Sequence, residues 1–67
     1  TNILNINLPY DTQIDSNSII KIYNLLGEIV LETQLNSTDQ NINTQPLENG
    51  VYFIKVKNQT KKFVIRR

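Results

Sequence analysis

The chain contains no cysteine, no histidine, no methionine, no tryptophan and no alanine. Without cysteine no disulfide can staple the fold. Without histidine it lacks both the commonest metal ligand and the usual general base near neutral pH. The two absences together exclude a Cys/His zinc site and a Cys/His or Ser/His nucleophilic pair within the chain. Only carboxylates, lysines, tyrosines and hydroxyls remain for chemistry, so the expectation is a non-enzymatic chain with no cofactor and no metal. The lack of alanine, against an abundance of isoleucine and asparagine, speaks against helices: alanine is the best helix former, and β-branched residues favour strands. No apolar run approaches the ~20 residues that span a bilayer, so no transmembrane segment is expected. The opening Thr1-Asn-Ile-Leu-Asn5 has neither a basic nor an apolar leader region and does not read as a signal peptide. With no initiator methionine, the chain is expected to be a fragment or processed product of a larger protein. The absence of cysteine is compatible with export.

What is there is short. Sixty-seven residues allow one domain, 1–67. A chain of that size buries only about 60% of its unfolded surface, which leaves it marginally stable. A partner edge, through strand exchange or a weak homodimer, is one expected remedy. Charge is unevenly distributed. All six acids (Asp11, Asp15, Glu28, Glu32, Asp39, Glu48) lie upstream of residue 55, where Lys21 is the single cation. Lys55, Lys57, Lys61, Lys62, Arg66 and Arg67 follow with no acid among them. Segment 1–54 therefore carries −5 and segment 55–67 carries +6, hidden within a net charge of +1.

Periodicity predicts strands throughout. In Thr1–Leu8, Leu4, Ile6 and Leu8 alternate with Asn5 and Asn7, the pattern of a half-buried strand. Pro9 closes it, and residues 10–17 read as a loop or a short edge strand. Ser18–Asn24 carries apolar residues on both faces, Ile20 and Ile22 against Ile19 and Tyr23, as a central strand does. Leu25-Leu-Gly-Glu28 reverses the chain, with Gly27 supplying a positive φ. Glu28–Leu35 returns as a strand with Val30 as its expected core residue. Asn36–Asn41 reads as a polar loop, and Ile42 begins an extended piece reaching Pro46. Leu47-Glu-Asn-Gly50 is the second sharp turn, on the Asn-Gly hairpin signal. Val51–Lys57 places Tyr52, Ile54 and Val56 on one face. Asn58-Gln-Thr60 turns into a last strand, Lys61–Arg66, centred on Phe63, Val64 and Ile65. Ile19, Ile22, Tyr23 and Leu26 are also helically spaced, but Gly27, the β-branched run and the missing N-cap oppose a helix there. Six or seven short antiparallel strands with regular turn signals predict an all-β sandwich.

Three of these segments, in this order, are similar to a known family. They are Ile22-Tyr-Asn-Leu-Leu-Gly-Glu-Ile-Val30, Leu47-Glu-Asn-Gly-Val-Tyr-Phe-Ile-Lys-Val56 and Lys61-Lys-Phe-Val-Ile-Arg66. The chain resembles the C-terminal sorting domain of the type IX (Por) secretion system of certain Gram-negative bacteria. Ile3-Leu-Asn-Ile6 matches the family's first strand, so the resemblance covers nearly the whole chain. It implies a small immunoglobulin-like β-sandwich at the end of an exported cargo protein. It also implies recognition of the folded domain by the system's outer-membrane translocon, shuttle and sortase proteins, followed by removal by the sortase. The cargo would pass from the periplasm to the outer membrane, the cell surface or the medium. The family usually carries an Asn-Pro or Pro-rich stretch just ahead of its first strand; with the sequence opening at Thr1, that stretch is expected to be either trimmed or absent.

The candidate residues divide between fold and function. Gly27 and Gly50 are expected as turn residues relieving a left-handed backbone. Tyr52 is expected in the core with its hydroxyl at the rim. The basic strand Lys61–Arg67 supports three readings: charged decoration protecting a sheet edge, a docking edge for a partner, or long-range attraction to phosphates or acidic protein. The resemblance favours docking, through Lys62 and Val64 first, then Lys61, Arg66 and Arg67. Tyr52, Phe53, Lys55 and Lys57 mimic a nucleic-acid sheet only weakly, since two rings and a small net charge are little to bind with, and no nucleic acid is expected. The carboxylate pairs Asp11/Asp15 and Glu28/Glu32 read as solvated surface charge. The triplets at Asn36 and Asn58 match the N-glycosylation pattern by chance. The alternative to a sorting signal is a small carbohydrate-binding, adhesive or spacer module, for which only Tyr10 and Tyr23 are expected to be exposed.

Overall fold

The computed structural model describes residues 3–67. The expected first strand begins at Thr1, so its first two residues lie outside the described region. Six strands follow in order: β1 (Ile3–Asn7), β2 (Ile19–Tyr23), β3 (Ile29–Gln34), β4 (Asp39–Asn43), β5 (Gly50–Val56) and β6 (Gln59–Ile65). No helix occurs among the described residues. β1 pairs with β4 in a two-stranded sheet, and β3-β2-β5-β6 form a four-stranded sheet. Every pairing is antiparallel.

One hydrophobic cluster joins the two sheets. Ile6 and Ile42 come from the smaller one, and Ile20, Ile22, Tyr52, Ile54, Val56 and Ile65 from the larger. Leu8, Leu35 and Leu47 cap the cluster from the connections. β2 is the central strand that its two apolar faces predict, since it is hydrogen-bonded to both β3 and β5. Ile20 and Ile22 are fully buried, and burial of each such side chain contributes about 1.5–3 kcal/mol. The reversal after β2 is held by Asn24. Its Oδ1 accepts from the backbone N–H of Leu26 (2.9 Å) and of Glu28 (3.0 Å), while its Nδ2 donates to Glu28 Oε1 at 2.9 Å. Gly27 sits at φ 85°, the left-handed conformation that glycine adopts without penalty.

The structure corrects the sequence reading at several points. Val30 is exposed rather than buried. Leu31 and Leu35, one and five residues later, fall on the opposite side of the alternation, and they face the core. Between Ile22↔Leu31 and Tyr23↔Ile29 the register shifts, so Val30 is the extra residue of a β-bulge. Asp39–Asn41 belongs to β4 rather than to a polar loop. The Leu47–Gly50 segment is not a hairpin, because β4 and β5 lie in different sheets and this stretch carries the chain between them. Gly50 has φ 159°, a positive value that residues with a Cβ rarely adopt. It supplies that conformation at the start of β5 rather than within a hairpin turn. The last hairpin turns at Lys57 and Asn58, so Gln59 and Thr60 are already strand and Lys57 is not.

Candidate functional site

The two sheets are unequal, and the inequality defines the candidate site. A two-stranded layer covers only part of the inner face of a four-stranded one. Among the described residues β6, like β3 at the other end of the sheet, pairs with one strand alone and leaves its second backbone edge without a strand. Such an edge is a template for a further strand.

Register separates the basic residues that are adjacent in sequence. Lys61 lies opposite Ile54, Lys62 opposite Phe53, Phe63 opposite Tyr52, Val64 opposite Val51 and Ile65 opposite Gly50. With a period of two, Lys61, Phe63 and Ile65 face inward, and Lys62, Val64 and Arg66 face outward. Ile65 is buried, and Phe63 is half-buried. Phe63 stacks on Tyr52 with ring centroids 5.6 Å apart and planes at 25°. Val64 is half exposed at 51%, and Lys61, Lys62 and Arg66 are exposed. Beside the inward face runs a cleft of about 250 Å³ between β1 and the last hairpin. Leu4, Ile6, Ile54 and Phe63 line its apolar wall, with Lys61 and Lys62 at its rim.

Arg67 is placed differently from the other four candidates. Its guanidinium donates to the carbonyls of Leu47 (2.6 Å) and Thr44 (2.7 Å), and its backbone N–H donates to Asn49 Oδ1 at 3.1 Å. The Tyr52 hydroxyl donates to the carbonyl of Glu48 at 2.7 Å in the same connection, which is the rim hydroxyl expected of a core tyrosine. Together Arg67 and Tyr52 tie the end of β6 and the start of β5 to the crossing between the sheets. Nothing in the sequence signals that clamp, because its acceptors are backbone carbonyls.

The remaining expectations are also located. Tyr10 is exposed at 93%, in the connection after β1, while Tyr23 is half-buried on the outer face of β2. Phe53 lies across from Tyr23 on that face, in register. Among the described residues no cluster of three or more potential metal ligands occurs. Among them no helix is long and apolar enough to cross a membrane.

The family model of the secretion system C-terminal sorting domain matches residues 1–66. No curated protein and no solved structure gave a significant match to the chain.

Proposed function

The chain belongs to the secretion system C-terminal sorting domain family, and from that membership we propose that it is the non-catalytic signal by which a larger exported protein is recognised, as a folded domain, through strand β6. The family supports a type IX sorting signal and a cargo that passes to the outer membrane or the cell surface. In our reading the system's translocon and shuttle add a strand to the free edge of β6. Lys62, Val64 and Arg66 present their side chains on the outer face, Lys61 stands at the cleft, and Arg67 holds the strand end in place. The system's sortase then cuts upstream of the domain. The same open edge supports weak self-association in the absence of a partner.

The observation that carries this reading is the coincidence of a family match over 1–66 with a basic strand that pairs, among the described residues, on one edge alone. The test fuses Thr1–Arg67 behind a periplasm-targeted reporter in a host that carries the system. Deleting Lys61–Arg67 removes Ile65 from the core and Phe63 packed against it, so the decisive variants are the exposed substitutions Lys62→Glu and Val64→Asp. Each is expected to leave the isolated domain folded and to hold the reporter in the periplasm. Reporter reaching the surface at the wild-type level with both substitutions present would exclude docking through β6.

A further inference from the structure

The outer face of the larger sheet carries an arrangement that the docking reading does not use. Lys21 of β2 and Lys55 of β5 are direct cross-strand partners. Like charges placed directly opposite one another destabilise a sheet. Lys57, one residue beyond β5, sits at φ 56°, a left-handed conformation unfavourable for any residue with a Cβ. All three lysines line one depression of about 210 Å³, together with Asn17, Ser18 and Ile19. No carboxylate lines it. Glu32 is opposite Lys21 on its other side, across β2 and β3. Asp15 accepts from Asn17 N–H and Ser18 Oγ. Among the described residues neither carboxylate forms an ion pair with these lysines.

We propose that this depression is an oxyanion site, in which Lys21, Lys55 and Lys57 together hold a phosphate group, free or carried on a lipid headgroup. Two local rules of β-structure are broken, and both violations involve lysines that line the same depression. Departures from local rules that converge in this way mark functional sites. An ammonium is a compact point charge with three donors. Three of them around an open depression match a multiply charged anion with several acceptor oxygens, and the anion relieves the repulsion between Lys21 and Lys55. The site shares the outer face with Lys62, Val64 and Arg66 but is lined by none of them, and it does not depend on the docking reading.

The experiment titrates the 67-residue chain at constant ionic strength with inorganic phosphate and pyrophosphate, followed by backbone amide shifts. A parallel arm uses sedimentation with phosphatidylcholine vesicles, with and without phosphatidic acid. Saturable binding at about millimolar affinity is expected, with shifts centred on residues 17–21 and 55–57. Lys21→Ala and Lys55→Glu are each expected to weaken it by about tenfold or more. Lys61→Ala, on the other face, removes the same charge and leaves it unchanged. Lys55→Glu also distinguishes binding from folding. It places an acid opposite Lys21, so the thermal midpoint of the free domain rises by about 3 °C as binding is lost. Binding to phosphatidic acid vesicles alone assigns the phosphate to a headgroup and supports the site. The proposal is overturned by no binding in either arm, by equal weakening in Lys61→Ala, or by a polyglutamate peptide competing as well as pyrophosphate. None of those results touches the secretion assay with Lys62→Glu and Val64→Asp, so the two readings fail separately.

Discussion

The two hairpins of the larger sheet solve the same problem in opposite ways. The β2–β3 hairpin turns through Asn24–Glu28, with glycine at the left-handed position and an asparagine side chain bonding two backbone N–H groups and a glutamate. The β5–β6 hairpin turns on two residues and puts a lysine at its positive φ. The first follows the usual chemistry of turns; the second sets it aside and gains a cation at the tip. Burial divides the strands differently. β2 buries Ile20 and Ile22 and β5 buries Tyr52, Ile54 and Val56, whereas Ile65 is the only buried residue of β6. The two inner strands anchor the sandwich, and β6 with its turn presents charge from it.

The largest effect should fall on the anchoring side. Ile22→Ala removes a fully buried side chain at the centre of both ladders of β2. A loss of about 2–5 kcal/mol is expected, against a total stability of about 3–10 kcal/mol for a domain of this length. Denaturant unfolding should show the variant largely unfolded in water or close to it. Val64→Ala, on the exposed side of β6, should stay within about 0.5 kcal/mol of the parent. Equal losses at the two positions would erase the distinction between the anchoring strand and the presenting one.

Asn24→Ala comes next. It removes the acceptor for two backbone N–H groups in the first turn, a loss of about 1–2 kcal/mol, because water replaces part of what is removed. Asn58→Ala, in the second turn, should change stability by less than about 0.5 kcal/mol. Chemical denaturation of the pair checks the contrast directly. Arg67→Ala tests the clamp that fastens the presenting hairpin to the crossing between the sheets. Losing its two guanidinium bonds to Leu47 and Thr44 should lower stability by about 1 kcal/mol. It should also speed amide exchange in β6 more than in β3. Uniform acceleration across both strands would mean that the clamp holds the whole domain and not its last strand.

The anchoring half was far more legible in the sequence than the presenting half, for physical reasons. Ile20 and Ile22 flanked by Ile19 and Tyr23 announce a central strand, and Gly27 announces its turn, because both signals are local. β4 was hidden because Asp39, Gln40 and Asn41 have loop chemistry. They become strand only through β1, where Asn5 Nδ2 donates to Asp39 Oδ1 at 2.8 Å and to Asn41 Oδ1 at 2.9 Å. Val30 misled because a bulge changes which residues face inward without leaving a mark in composition. The basic strand was visible as charge, but the division of Lys61 from Lys62 between faces, the inward turn of Arg67 and the pairing of Lys21 with Lys55 all depend on register. Register is set by the partner strand, so none of them could be read from β6 or β2 alone.

The smallest effect is the sharpest test of the comparison. If the second hairpin gives up local stability to place a cation, replacing Lys57 should return that stability. A lysine at φ 56° carries a penalty of about 1–2 kcal/mol. Glycine removes it but loses about 0.5–1 kcal/mol through the freedom it adds to the unfolded chain. Lys57→Gly should therefore stabilise the domain by about 0.5 kcal/mol, which raises the thermal midpoint by about 2–4 °C. Lys57→Asn tolerates the same backbone conformation without the added freedom, so it should do at least as well. Both variants lose one of the three lysines around the depression on the outer face, and phosphate binding should weaken as the midpoint rises. Opposite movement of the two readouts is what a turn shaped by charge placement requires. A falling midpoint in both variants would show that the Lys57 side chain supports the fold, and the two hairpins would then differ in sequence but not in purpose.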